Sequence, residues 1–289
     1  MTRENGVVSS AVGLIPFGHL GWGYRDRAEF RARAAEYIAD GLAQNQWVEY
    51  VGAGSRAQLR AELATMPGIT DASDVKVTPV LEFYAVPAGS DIVDPHVAVA
   101  TRVAAVEKAI DDGYTGFRAV VDATAMASRP EQRNALACFE FLIDQKMSVL
   151  PVSTLCAYDT SQLADDANGL ICLHPYVDQS ACTFRLYAEP DTGFALTGEI
   201  DAATSEVFAT ALRRTWDLTG EDTLVVDARR LEFIDHRSLC MLDQYARTMD
   251  RKVVLQTAQM LPARLADLLD LTNVRVESRQ WLSTTPATR

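Results

Sequence analysis

Short apolar runs alternate with stretches of helical periodicity along the whole chain, and that alternation confines it to α/β architectures. Trp47–Val51, Val80–Tyr84, Phe117–Val121 and Val149–Tyr158 read as strands. Between them, Phe30, Ala34, Tyr37, Ile38 and Leu42 set a helix over Arg27–Ala43, and Ser55 caps a helix from Arg56 to about Met66. Asp94-Pro95 opens a helix through Asp112, and Arg129-Pro130 opens another through about Gln145. Strands separated by helices predict a mostly parallel sheet with helices on both faces. In such sheets ligands bind outside the carboxyl ends of the strands. Glu49, Asp122, Cys156 and Tyr158 fall at or near those ends.

The pattern restarts after His174-Pro175. Thr183–Ala188 and Phe194–Thr197 read as two strands around the turn Pro190-Asp191-Thr192-Gly193. A helix from Asp201 to about Trp216, a strand Thr223–Asp227, a loop Ala228–Ile234 and a helix from about Arg237 to Met249 follow. Strand Val253–Thr257, helix Met260–Leu269 and edge strand Val274–Glu277 complete a β-β-α-β-α-β-α-β order. The 289 residues suffice for two ordinary domains. The expected organisation is a flexible tail (1–14), a first domain (15–175), a linker (176–181), a second domain (182–278) and a C-terminal tail (279–289), with a separate core in each domain.

A net charge of −12 without a Lys/Arg stripe speaks against direct nucleic-acid binding, which needs cations to displace condensed counterions. No run approaches the ~18 apolar residues of a membrane span, and the N-terminus lacks a signal-peptide pattern. The five cysteines are odd in number and have no C-x-x-C spacing. A disulfide framework or zinc ribbon is therefore not expected, and reduced thiols in a cytoplasmic protein are.

Three strings of the second half carry a resemblance: Leu196-Thr197-Gly198-Glu199-Ile200-Asp201, Leu224-Val225-Val226-Asp227 and Phe233-Ile234-Asp235-His236-Arg237-Ser238-Leu239. With the element order, they resemble the STAS family of sigma-factor regulators and transporter tails over about residues 182–277. The resemblance implies an anti-sigma-factor antagonist that binds an anti-sigma factor or partner-switching kinase, with Asp201, Asp235, His236, Arg237 and Ser238 at the partner face. In that family a serine at the start of the second helix is phosphorylated. Here His236 and Arg237 stand in place of the family's serine pair, which leaves Ser238, one position on, as the phosphorylation candidate or makes the module insensitive to phosphorylation.

The first half resembles the MEDS sensory domain from about His19 to Pro175. The carrying residues are His19…Tyr24-Arg25-Asp26…Phe30, Leu155-Cys156-Ala157-Tyr158-Asp159 and His174-Pro175. The resemblance implies a small organic ligand and a RecA-like core akin to circadian-clock ATPases. The glycine-rich segment Gly18–Asp26 reads as a loop and has no Gly-Lys-Ser/Thr, so phosphate binding in the P-loop manner is not expected. Gly52-Ala53-Gly54 likewise falls short of a dinucleotide fingerprint.

His19, Tyr24, Arg25, Asp26, Glu49, Asp122, Cys156, Tyr158 and His174 are the candidate ligand-binding residues. His19, Tyr24, Asp122, Cys156 and Tyr158 are expected to line one cavity. His19, Cys156 and His174 are also possible metal or haem ligands, but each alone reads better as a core or turn residue, and no metal or cofactor is expected. The resulting expectation is a two-domain, non-enzymatic sensor-regulator, with homo-oligomerisation left open. The alternatives are a thiol enzyme using Cys156 with His19 or His174 as base, or a scaffold that only docks partners.

Overall fold

The computed structural model describes residues 4–10, 18–69, 72–179, 182–220 and 222–278. The expected C-terminal tail and half of the N-terminal one lie outside the described residues.

The first half is a parallel seven-stranded sheet. In chain order it contains β1 (Gly6–Val8), β2 (His19–Tyr24), α1 (Arg27–Ala43), β3 (Trp47–Gly52), α2 (Arg56–Leu63), β4 (Val75–Pro79) and α3 (Val80–Phe83). Then come α4 (Pro95–Asp111), β5 (Phe117–Asp122), α5 (Pro130–Met147), β6 (Val152–Asp159), α6 (Thr160–Leu163), α7 (Asn168–Ile171) and β7 (Tyr176–Asp178). The strand order is β1-β7-β2-β6-β5-β3-β4. Helices α1 and α2 cover one face, where Leu20, Trp22, Tyr50, Val120 and Leu155 are buried. Helices α4 and α5 cover the other, over Val121, Cys156 and Tyr158.

The second half is a mixed sheet made of β8 (Phe184–Glu189), β9 (Gly193–Ile200), α8 (Ser205–Thr215), β10 (Thr223–Asp227), β11 (Leu231–Ile234), α9 (His236–Thr248), β12 (Lys252–Thr257), α10 (Met260–Leu268) and β13 (Val274–Ser278). Its order is β11-β9-β10-β12-β13, with β8 antiparallel to β9. Gly198 has φ +83°, and a Cβ there would lie 2.1 Å from the Thr183 carbonyl oxygen. Only glycine fits this crossing of β8 and β9.

Five expectations need correction. Val80–Tyr84 is not a strand: Pro79 lacks an N–H and closes the edge strand β4, and the buried residues Val80, Phe83 and Tyr84 lie on one side of a short helix, with Leu81 and Glu82 outside. The glycine-rich segment before α1 is strand β2 rather than a loop, because Leu20, Trp22 and Tyr24 alternate into one apolar face. Gly6–Val8 and Tyr176–Asp178, read as tail and linker, pair in parallel at the edge of the first sheet. The loop Ala228–Ile234 contains β11, so the order is β-β-α-β-β-α-β-α-β.

Finally, the halves do not have separate cores. Helix α5 is buried on nearly every side, packing on α4 in one direction and on β8 and α8 in the other. Phe141 meets Phe194 with ring centroids 4.6 Å apart, and the N–H of Leu186 donates to the carbonyl of Cys172 at 2.7 Å. One buried apolar cluster runs through both halves.

Candidate functional site

The period of two along a strand decides which candidate residues meet. His19 is five residues before Tyr24 on β2, so the two point to opposite faces. Cys156 and Tyr158 on β6 are two apart and share the face of His19. On that face, helix α5 presents Glu140 and Asp144, one turn apart, and the chain after α7 brings in His174. His19, Glu140, Asp144, Tyr158 and His174 are all fully buried, and Cys156 nearly so.

His19 is held at both ring nitrogens, Nδ1 at 2.9 Å from Asp144 Oδ1 and Nε2 at 3.2 Å from Glu140 Oε2. The Tyr158 hydroxyl donates to Glu140 Oε1 at 2.9 Å. Cys156 Sγ lies 3.6 Å from His19 Nε2 and 3.7 Å from Glu140 Oε2. His174 Nδ1 donates to the carbonyls of Leu170 and Ile171 at 3.1 and 3.2 Å. Its Nε2 faces Glu140 Oε2 at 3.6 Å, beyond hydrogen-bonding reach, and has no hydrogen-bond partner. The imidazole rings of His19 and His174 are 4.1 Å apart at their centroids. Gly21 makes room for this packing, since a Cβ there would sit 2.8 Å from His174 Nδ1.

The electrostatics follow from burial and pairing. Burial alone would lower the His19 pKa, but hydrogen bonds to Asp144 and Glu140 and the charges of both outweigh it and raise it. Burial likewise opposes ionisation of Glu140, yet the hydrogen bonds from His19 and Tyr158 and the charge of His19 hold its pKa below the ordinary value. His174 is lowered to about 4 by burial and by the charge of His19. Burial and Glu140 push the Cys156 thiol and the Tyr158 phenol well up.

A narrow, mostly apolar cleft with about 20 Å³ of free volume, room for one water, runs between α4, α5 and the sheet and reaches His19, Glu140 and Cys156. The buried Tyr84 hydroxyl on its wall has no hydrogen-bond partner.

The remaining candidates lie elsewhere. Tyr24 and Asp122 meet on the opposite face, where the Tyr24 hydroxyl donates to Asp122 at 3.0 Å and Arg27 pairs with Asp122. Arg27 also binds Glu62 through Nε at 2.7 Å and Nη2 at 2.8 Å, and Tyr50 donates to Glu62 at 2.8 Å. This ion-pair network occupies the carboxyl ends of β2, β3 and β5. Glu49 is buried at the other face and pairs with Lys76 at 3.3 Å and Arg102 at 3.5 Å. Arg25 and Asp26 are exposed, and Asp26 caps α1 by accepting from the N–H groups of Ala28 and Glu29. The single cavity expected from His19, Tyr24, Asp122, Cys156 and Tyr158 is therefore two sites divided by the sheet.

Sequence reasoning missed Glu140 and Asp144. The signal was two carboxylates at i, i+4, one inside the apolar run Leu136–Ile143 and one directly after it, a spacing that puts both on one buried helix face.

In the second half, Asp201 is exposed and accepts from the N–H groups of Ala203 and Thr204 at 3.0 and 3.1 Å. Asp235 caps α9 by accepting from the N–H of Ser238 at 2.8 Å. His236 and Arg237 are exposed, whereas Ser238 is fully buried and its hydroxyl has no hydrogen-bond partner.

All five cysteines are free thiols. Among the described residues, no helix is long and apolar enough to cross a membrane.

Fold and site together define an α/β protein whose N-terminal sheet encloses a buried His, Cys and carboxylate cluster against the helix that joins it to a second sheet. The chain belongs to the MEDS family: the model of the MEthanogen/methylotroph, DcmR Sensory domain matches residues 18–175. That membership points to a sensory, signalling role. Comparison with curated proteins gives no match.

Proposed function

We propose that this chain is a cytoplasmic signal-transduction regulator in which a small organic ligand, acting at the buried cluster, sets how a C-terminal STAS module meets an anti-sigma factor or partner-switching kinase. The observation that carries the reading is the two-ended role of Asp144. One oxygen binds His19, and the other accepts the backbone N–H of Ala188 in β8 at 3.1 Å. A change at His19 would reach the first strand of the second sheet through this one carboxylate. Allostery requires only that the ligand bind two arrangements of such an element unequally.

The docking face of this proposal is the start of α9. His236 and Arg237 project to solvent there, beside the partly exposed Phe233. A cationic face suits an acidic partner surface. Burial of Ser238 favours the phosphorylation-insensitive form of the module, because a kinase must reach the hydroxyl it modifies. The thiol-enzyme alternative is disfavoured by the raised Cys156 pKa, since the thiolate is the nucleophile.

The test uses the full chain, its partner-switching kinase and Mg-ATP. The expected outcome is a complex that Arg237→Glu weakens at least about tenfold, with no phosphate on Ser238 by mass spectrometry. Stoichiometric phosphoserine at 238, or unchanged affinity of the Arg237→Glu variant, contradicts the reading.

A further inference from the structure

The buried cluster offers four donors of metal-ligating type: two imidazole nitrogens, a thiol sulfur and a carboxylate oxygen. One donor atom from each of His19, Glu140, Cys156 and His174 lies within 4.8 Å of the others. In a tetrahedral zinc site, Zn–N and Zn–O bonds of about 2.0–2.2 Å and a Zn–S bond of about 2.3 Å place nitrogen and oxygen ligands about 3.3–3.5 Å apart and sulfur about 3.6 Å from either. Here the nitrogen–oxygen separations are 3.2 and 3.6 Å, and those to sulfur are 3.6 and 3.7 Å. Four of the six separations are thus already near those of a tetrahedral site, and the two from His174 to His19 and Cys156 are within 4.8 Å.

The surroundings match as well. A ligating histidine usually donates its other ring N–H to a carboxylate or a backbone carbonyl, which fixes the tautomer. His19 Nδ1 is bound to Asp144, and His174 Nδ1 donates to Leu170 and Ile171. The second oxygen of Glu140 is held by the Tyr158 hydroxyl. With its proton on Nδ1, His174 turns the Nε2 lone pair toward a carboxylate oxygen, and that buried nitrogen has no hydrogen-bond partner. Two acceptors facing one another in a water-poor interior repel, and a cation between them reverses the sign. A narrow cleft with about 20 Å³ of free volume borders His19, Glu140 and Cys156.

We propose that His19, Glu140, Cys156 and His174 bind one divalent transition-metal ion of the zinc type. The ligand set of two imidazoles, one thiolate and one carboxylate is borderline soft, which suits zinc and excludes magnesium or calcium as the resident ion. Four protein ligands make a closed site. The ion clamps β2, β6, α5 and the His174 turn together. This inference concerns the cluster at which the proposed organic ligand acts but does not depend on that ligand, and metal binding is measured without ligand or partner, so the two fail separately.

The experiment titrates the full chain, purified under reducing conditions, with Co²⁺ as a spectroscopic probe and then with Zn²⁺. The expected result is saturation at one equivalent, with a near-ultraviolet sulfur-to-cobalt band and strong visible bands of tetrahedral cobalt, all displaced by one equivalent of Zn²⁺. Cys156→Ala abolishes the near-ultraviolet band, whereas Cys240→Ala retains it. Asp144→Asn, which alters the group orienting His19, weakens zinc affinity about 10–100-fold. Failure of the unmutated protein to develop the cobalt bands at one equivalent overturns the proposal without reference to any variant. So does a near-ultraviolet band that survives Cys156→Ala.

Discussion

Gly21 shows how one missing side chain shapes the site. A Cβ at this position meets His174 Nδ1 at 2.8 Å, His174 Cγ at 2.9 Å and the Ile171 carbonyl oxygen at 3.0 Å. At Gly23 the nearest atom is a Thr160 methyl carbon at 3.1 Å, and at Gly6 nothing lies within 4 Å. Gly21→Ala is expected to cost about 1–3 kcal/mol as an overpacking substitution. Gly6→Ala should stay within about 0.5 kcal/mol. Denaturant midpoints of the two variants check the contrast, and equal midpoints contradict the packing of His174 on β2. Tyr158→Phe tests the other wall of the cluster. It removes the donor to Glu140 and leaves a buried carboxylate oxygen short of a partner, so a loss of about 1–3 kcal/mol is expected by the same measurement.

At the scale of elements, the strand ends explain what this sheet does not do. The carboxyl ends of β2, β3 and β5, where ligands of open α/β sheets usually sit, are tied by Arg27, Glu62, Asp122, Tyr24 and Tyr50. Burial opposes ionisation of Glu62, but hydrogen bonds from Arg27 and Tyr50 and the charges of Arg27 and Arg31 win and lower its pKa. A depressed carboxylate pKa contributes stability that is present above the unfolded value and is lost as pH falls through the folded one. Glu62→Gln is therefore expected to be less stable than the unmutated chain at neutral pH and to lose less on acidification below about pH 4. Parallel stability curves for the two proteins contradict this. Isothermal calorimetry with Mg-ATP should detect no binding at these strand ends, and micromolar affinity lost on Arg27→Ala is the opposing result.

The same elements mark what was legible in the sequence. Helix α1 and the caps at Ser55 and Asp94 were readable because apolar period and capping chemistry are local. Strand β2 was not, because its glycines suggested a loop while its alternation of Leu20, Trp22 and Tyr24 went unused. Residue chemistry alone groups His19, Cys156 and His174 as potential metal ligands, but the partition of Tyr24 and Asp122 to the other face depends on register. Glu140 and Asp144 escaped because carboxylates on a helix ordinarily face water. Only the burial of α5 between two sheets turns them inward.

At the scale of the whole molecule, α5 makes the two sheets one body. It supplies Glu140 and Asp144 to the cluster and stacks Phe141 on Phe194 of the second sheet. Cys138 Sγ donates to the carbonyl of Arg214, whose guanidinium donates to Asn134 at 2.8 Å. Such contacts resemble a domain interior more than a hinge, so calorimetry of the full chain should give one cooperative transition. Two resolved transitions contradict a shared core.

The central claim is that the cluster and the second sheet are coupled through Asp144. Hydrogen exchange of the full chain, compared with the His19→Ala variant, tests it most directly. The account predicts faster exchange in peptides covering Phe184–Glu189 as well as in His19–Tyr24, because loss of His19 removes the imidazole bound to the carboxylate that holds the Ala188 N–H. Changes confined to residues 18–175, with β8 unaltered, contradict it.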